Sequence, residues 1–117
     1  RIGLRPWTPA LVDRTLLLTG GAIEALSALM VEGHRVAANM AGGTHHAHRD
    51  FGAGYCIFND IAICAKKAQT HFNIKKVLIV DLDVHQGDGT AGLSGHPRSD
   101  HPHSAQGRSP LAYRTAL

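Results

Sequence analysis

Long apolar runs are missing from this sequence. A membrane-crossing helix needs about 18 or more consecutive apolar residues, and none of that length occurs. No membrane partner is therefore expected. Residues 1–9 also lack the apolar centre of a secretory signal. The chain begins at Arg1 rather than Met, so it is expected to start inside a longer reading frame. Aromatics make up only 5% of residues, and no stripe of Lys and Arg is interleaved with them. Direct nucleic-acid binding is thus poorly supported. The two cysteines, Cys56 and Cys64, are too few for a disulfide framework. A reduced, cytoplasmic setting is expected, with both thiols read as small buried residues.

Charge of either sign is modest. The net charge is +3, and Arg98, Arg108 and Arg114 against Asp100 leave most of that excess after residue 90. Nine histidines in 117 residues are what stands out. Imidazole is the side chain best suited to metal ligation and to proton transfer near neutral pH.

The length allows one modest core. Residues 9–32 read as a helix, with Leu11, Thr15, Leu18, Ala22, Leu26 and Leu29 on one face. Gly20 and Gly21 interrupt it, implying a kink or a close contact, and Gly33 offers a stop. Val36 to Met40 suits a buried strand running into the Gly42-Gly43 turn. Residues 47–58 read as a loop. Asn59 looks like an N-cap with Asp60 in the first turn of a helix ending near Asn73. The buried face of that helix is expected at Ile61, Cys64, Ala65, Ala68 and Phe72. Val77 to Val80 reads as a strand covered on both faces, as in a parallel sheet. The strand, helix and strand would form a βαβ unit. Residues 94–110 show no apolar periodicity and read as unstructured, and the weak apolar patch at 111–117 does not change that.

Ligands of open α/β sheets bind beyond the carboxyl ends of the strands. Both polar clusters sit at such ends: His45-His46 after 36–40, and Asp81 to Gly89 after 77–80. Alternation along a strand would put Asp81, Asp83 and His85 on one side. Two carboxylates and an imidazole suit a divalent metal, and zinc accepts mixed N and O ligands. Burying the carboxylates without a cation would be costly. Adjacent histidines are usually surface residues, but here a Gly-Gly turn delivers them to the edge that carries the acids. They make a plausible acid–base apparatus beside a metal.

Three segments then resemble the histone deacetylase superfamily: Gly42-Gly43-Thr44-His45-His46-Ala47, Gly54-Tyr55-Cys56-Ile57-Phe58-Asn59-Asp60, and Val80-Asp81-Leu82-Asp83-Val84-His85-Gln86-Gly87-Asp88-Gly89-Thr90. The resemblance covers residues 1–92 and implies part of an arginase/deacetylase-like α/β fold, a mostly parallel sheet with helices on both faces. Residues 93–117 fall outside it as a divergent tail. It implies a zinc-dependent hydrolase that removes acetyl or other acyl groups from lysine or polyamine amines. Asp83 and His85 would be two of three Zn²⁺ ligands. His46 would be the general base and then the acid, with His45 beside it tuning the charge. Asp81 would orient His45, and Asp88 would orient His46. Asp81 also resembles a residue that helps hold a structural K⁺. Gly54 and Tyr55 would line the channel for the acyl-amine side chain.

The family's third zinc ligand, an Asp, and its Gly-Gly-Tyr motif have no counterpart here. Asp100 and Tyr113 lack the flanking residues. The chain is therefore expected to be an incomplete, poorly active piece, or a non-catalytic remnant. The arginase and agmatinase branch, with two manganese ions, wants Gly-Gly-Asp-His-Ser and Asp-Ala-His-x-Asp, and neither is present. A tail metal site at His96, His101 and His103 is disfavoured by its prolines. The acyl group, its carrier and the oligomeric state stay open.

Overall fold

A computed structural model describes residues 2–93 and 113–116. In chain order the elements are α1 (Pro9–Met30), α2 (Asp60–His71), β1 (Leu78–Asp81), α3 (Asp88–Leu93) and β2 (Tyr113–Ala116). Asp100 and the histidines at 96, 101 and 103 lie outside the described residues.

α1 starts where a proline can start a helix. Thr8 caps it, its hydroxyl accepting the Leu11 N–H at 3.2 Å, and Pro9 occupies the first turn, where its missing N–H costs nothing. The face expected to be inward is the inward one. Thr15 and Ala22 are buried, while Leu11, Leu18, Leu26 and Leu29 are half-buried. Thr15 satisfies its hydroxyl on the Leu11 carbonyl at 2.9 Å. The helix runs through Gly20 and Gly21 unbroken. Gly21 is the close contact, because a Cβ there would lie 3.3 Å from Asn39 Oδ1. Asn39 in turn donates to the Leu18 carbonyl at 2.9 Å. Beyond Met30, Gly33 takes φ 76°, and the His34 N–H closes on the Ala28 carbonyl at 3.0 Å.

α2 packs against α1 and against α3. Its inward face is Ala62, Ala65 and Ala68, so the expected face is rotated slightly: Ile61, Cys64 and Phe72 are only half-buried. Small alanines let α1 and α2 approach closely. Asn59 caps the helix by accepting the Ala62 N–H at 3.0 Å. Its amide also donates to the Ala47 carbonyl at 3.1 Å and to Thr90 Oγ1 at 2.9 Å. Removing that side chain deletes a cap, worth about 1 kcal/mol, and strands buried acceptors at about 1–3 kcal/mol. Asn59→Ala should therefore cost about 2–4 kcal/mol, read from chemical denaturation.

Two expectations are corrected. Residues 36–40 form no strand; Val36 is 84% and Met40 96% exposed. A strand needs a ladder partner, and β1 pairs elsewhere. The expected βαβ unit is therefore not formed among the described residues. β1 itself sits one residue later than expected and pairs antiparallel with β2, from Leu78↔Ala116 to Asp81↔Tyr113. Within β1 only Ile79 is buried, and Leu78 and Val80 are exposed. A strand covered on both faces is not what the described residues contain. The antiparallel partner was not legible in the weakly apolar stretch at 111–117. No helix among the described residues is long and apolar enough to cross a membrane.

Candidate active site

Three stretches of irregular chain meet beyond the end of β1. The first follows the Gly42-Gly43 turn. Gly43 takes φ 92°, a left-handed conformation that glycine adopts without steric cost. Its N–H and that of Thr44 both point at the Asp60 carboxylate. His45 and His46 follow directly.

His45 is 6% exposed. Its Nδ1 lies 2.6 Å from Asp81 Oδ2. His46 Nδ1 lies 2.6 Å from Asp88 Oδ1. An ionised carboxylate can only accept, so each Nδ1 carries a proton, and in the neutral ring Nε2 keeps its lone pair. The two rings sit 4.2 Å apart, tilted by 59°. The structure thus brings four of the expected site residues together in two carboxylate–imidazole pairs.

The second stretch carries Asp81, Asp83 and His85, and here the expected geometry is corrected. Strand β1 ends at Asp81, so strand alternation does not align the three. Side-chain turns do. The Asp83 N–H donates to Asp81 Oδ1 at 3.0 Å, and the His85 N–H donates to Asp83 Oδ1 at 2.7 Å. His85 Nδ1 lies 3.0 Å from the same oxygen. Those bonds, the backbone one first and the side-chain one next, hold the Asp83 carboxyl below its usual range. His85 faces His46 with ring centroids 6.1 Å apart. His45 Nε2 comes within 3.9 Å of Asp83 Oδ1. Among the described residues no group of three or more His, Cys, Asp or Glu is arranged to hold a metal.

The third stretch is 52–56. Gly54 lies under the His46 ring; a Cβ there would sit 2.5 Å from His46 Cδ2. Tyr55 is less involved. Its φ is 63°, its ring lies against Gly3, and it is 71% exposed. A groove of about 940 Å³ runs along α2 past His48, Phe51 and Ile63 and does not include Asp83 or His85.

One participant escaped the sequence reading. His48 Nε2 lies 3.3 Å from Asp88 Oδ2, while its ring stacks on Phe51 at 4.2 Å and 19°. Asp88 is therefore shared by two imidazoles. The available signal was the third histidine of His-His-Ala-His, two residues beyond His46. Burial pushes the Asp88 carboxyl up, but the bonds to His46 and His48 outweigh it, leaving the group below its ordinary 3.8. A carboxyl depressed by folding contributes stability above its unfolded pKa and loses it as pH falls through the folded one. Asp88→Asn should therefore flatten the loss of stability below about pH 4, measured as the denaturation midpoint against pH.

Two glycines keep the stretches in contact. At Gly87 a Cβ would run into Asp81 Oδ2 and sit 3.0 Å from His45 Nδ1. At Gly89 it would strike the Ala47 carbonyl and sit 2.7 Å from the His45 carbonyl oxygen. The second clash is with backbone, which a rotamer change does not relieve. It would also part Thr90 N–H from the His45 carbonyl, now bonded at 3.0 Å. Gly89→Ala should cost about 1–3 kcal/mol or more as overpacking, seen as a lowered denaturation midpoint.

Two His/Asp pairs are thus gathered where the loop carrying His45 and His46 meets the end of β1 and the start of α3. Residues 4–99 match the histone deacetylase domain model. The chain is 53% identical over 91 residues to an uncharacterized protein of Picosynechococcus sp., covering 78% of this chain and 29% of that protein. It is 37% identical over 84 residues to histone deacetylase 8 of Xenopus tropicalis, covering 72% of this chain and 22% of that one. Acetoin utilization protein AcuC of Staphylococcus aureus is 42% identical over 74 residues, covering 62% and 18%. The chain belongs to the histone deacetylase family. It spans less than a third of the length of these curated relatives.

Proposed function

We propose that this chain carries the proton-transfer part of a zinc-dependent deacylase site acting on acetylated or otherwise acylated lysine or polyamine amines. The observation that carries the reading is His46, tied by Nδ1 to Asp88 at 2.6 Å with Nε2 free. In that state Nε2 can take the proton of an attacking water. Asp88 stabilises the imidazolium that results, and the same nitrogen then delivers the proton to the departing amine. His45, tied to Asp81, sets the charge beside it. Gly54 lies flush against the His46 ring, and with Tyr55 it would border the path of the acyl-amine side chain.

Asp83 and His85 fit zinc by donor chemistry, a carboxylate oxygen and an imidazole nitrogen held together. They are two donors where a catalytic zinc takes three from protein, so the rest of the set would come from elsewhere in a longer polypeptide. Bound there, zinc would supply Lewis acidity toward the acyl carbonyl. Asp81 is also the proposed contributor to a K⁺ site. The proposed whole is the arginase/deacetylase-like α/β fold, whose further strands would cover the exposed side chains of β1.

The test is a chimera in which residues 4–93 replace the matching segment of the Picosynechococcus relative. Release of acetate from an acetyl-lysine peptide or an acetylpolyamine supports the reading, provided that it fails with His46→Ala. A folded, zinc-loaded chimera inert on both substrates, beside an unmodified relative that turns one of them over, would contradict it. A second reading, a non-catalytic remnant, draws on the absence of a three-donor group among the described residues, and an inert chimera would favour it.

A further inference from the structure

The consecutive residues Asn59 and Asp60 open α2, yet their side chains reach back across the loop on both sides of the histidine pair. Ahead of the pair, Asp60 accepts the Gly43 N–H at 3.0 Å and the Thr44 N–H at 2.9 Å. The Thr44 hydroxyl lies 2.6 Å from Asp60 Oδ1, and Thr44 Oγ1 accepts the Asp60 N–H at 3.3 Å. Behind the pair, the Asn59 amide holds the Ala47 carbonyl at 3.1 Å. Its partner Thr90 holds the His45 carbonyl through its N–H at 3.0 Å.

A first-turn acid usually faces solvent and answers the helix dipole. Asp60 is only 4% exposed. Burying a carboxylate is costly unless its lone pairs are used, and here they are used on the two residues just before His45. Gly42 is part of the same fit, because a Cβ there would run into Asp60 Oδ2. The Gly-Gly pair is thus required by the acid as well as by the turn. We infer that Asn59 and Asp60 are positioning residues, a two-point clamp that sets His45 and His46 onto Asp81 and Asp88. The inference rests on the proposed use of those histidines, but its geometry can be tested without turnover.

Long-range ¹H–¹⁵N imidazole spectra of the 117-residue chain read which ring nitrogen carries the proton. His45 and His46 should both show Nδ1-bound protons. In Asp60→Ala both signals should be lost to the Nε2-bound form of free imidazole, while amides of Ala65 and Ala68 in α2 stay protected from exchange. Thr44→Val should act in the same direction, and Thr44→Ser should restore the Nδ1-bound state. Retained Nδ1 protons in Asp60→Ala would overturn the clamp, as would their absence from the unmodified chain. If Asp60→Ala also unwinds α2, the two Thr44 variants decide: retention in Thr44→Val overturns the inference, and loss there with rescue by serine supports it. An intact clamp in a chain without deacylase chemistry would refute the functional reading alone.

Discussion

Replacing His46 by alanine in the active chimera should lower turnover of an acetyl-lysine substrate by about 10²–10⁴-fold, the usual worth of a positioned acid–base. Zinc content should stay at the unmutated level, because the ring faces His85 at a centroid distance of 6.1 Å and belongs to a separate pair with Asp88. Asp88→Asn should lower turnover in the same direction, since an amide can present a hydrogen to Nδ1 and favour the wrong tautomer. His48→Ala leaves the 2.6 Å bond between His46 and Asp88 and should retain far more activity than His46→Ala. Steady-state kinetics with metal analysis on each variant separates these outcomes. Full activity of His46→Ala would remove that residue from the mechanism.

Zinc retention should differ sharply between the short and long forms. The 117-residue chain offers Asp83 and His85 as a joined donor pair with no third donor grouped with them among the described residues. Zinc should bind it weakly and leave on dialysis. The chimera should hold one zinc per chain through dialysis and lose it when Asp83 or His85 becomes alanine. Loss of one ligand removes a large part of a binding energy that comes from several ligands acting together. Metal analysis after dialysis is the measurement. Stoichiometric zinc held by the short chain would contradict the two-donor account. Two tightly held manganese ions in the chimera would move the protein toward the binuclear arginase branch.

The local signals proved the readable ones. Asn59 with Asp60 marks the start of α2 because capping is satisfied within a few residues. The inward stripe of α1 followed from its spacing. Where a reading from composition and periodicity needed a partner distant in sequence, it failed. Val36 to Met40 has strand composition but no ladder. Val77 to Val80 has the apolar run of a covered strand, but in β1 only Ile79 is buried. Whether a strand is covered depends on what packs against it, and the run itself carries no such information.

The motifs by themselves determined the family and nominated His45, His46, Asp81, Asp83, His85 and Asp88, because rare residue types at fixed spacing survive without coordinates. Pairing was a different matter. His45 meets Asp81 across 36 positions and His46 meets Asp88 across 42, contacts that composition and periodicity do not specify and only the resemblance anticipated. Tertiary structure alone showed that side-chain turns, rather than strand alternation, gather Asp81, Asp83 and His85. It alone placed His48 on Asp88. It also turned Asp60 from a helix-start residue into the buried acceptor beneath the Gly43-Thr44 turn. A carboxylate can serve a dipole, a metal, an imidazole or a backbone turn with the same two oxygens. Which donors the folded chain brings within about 3 Å decides among them.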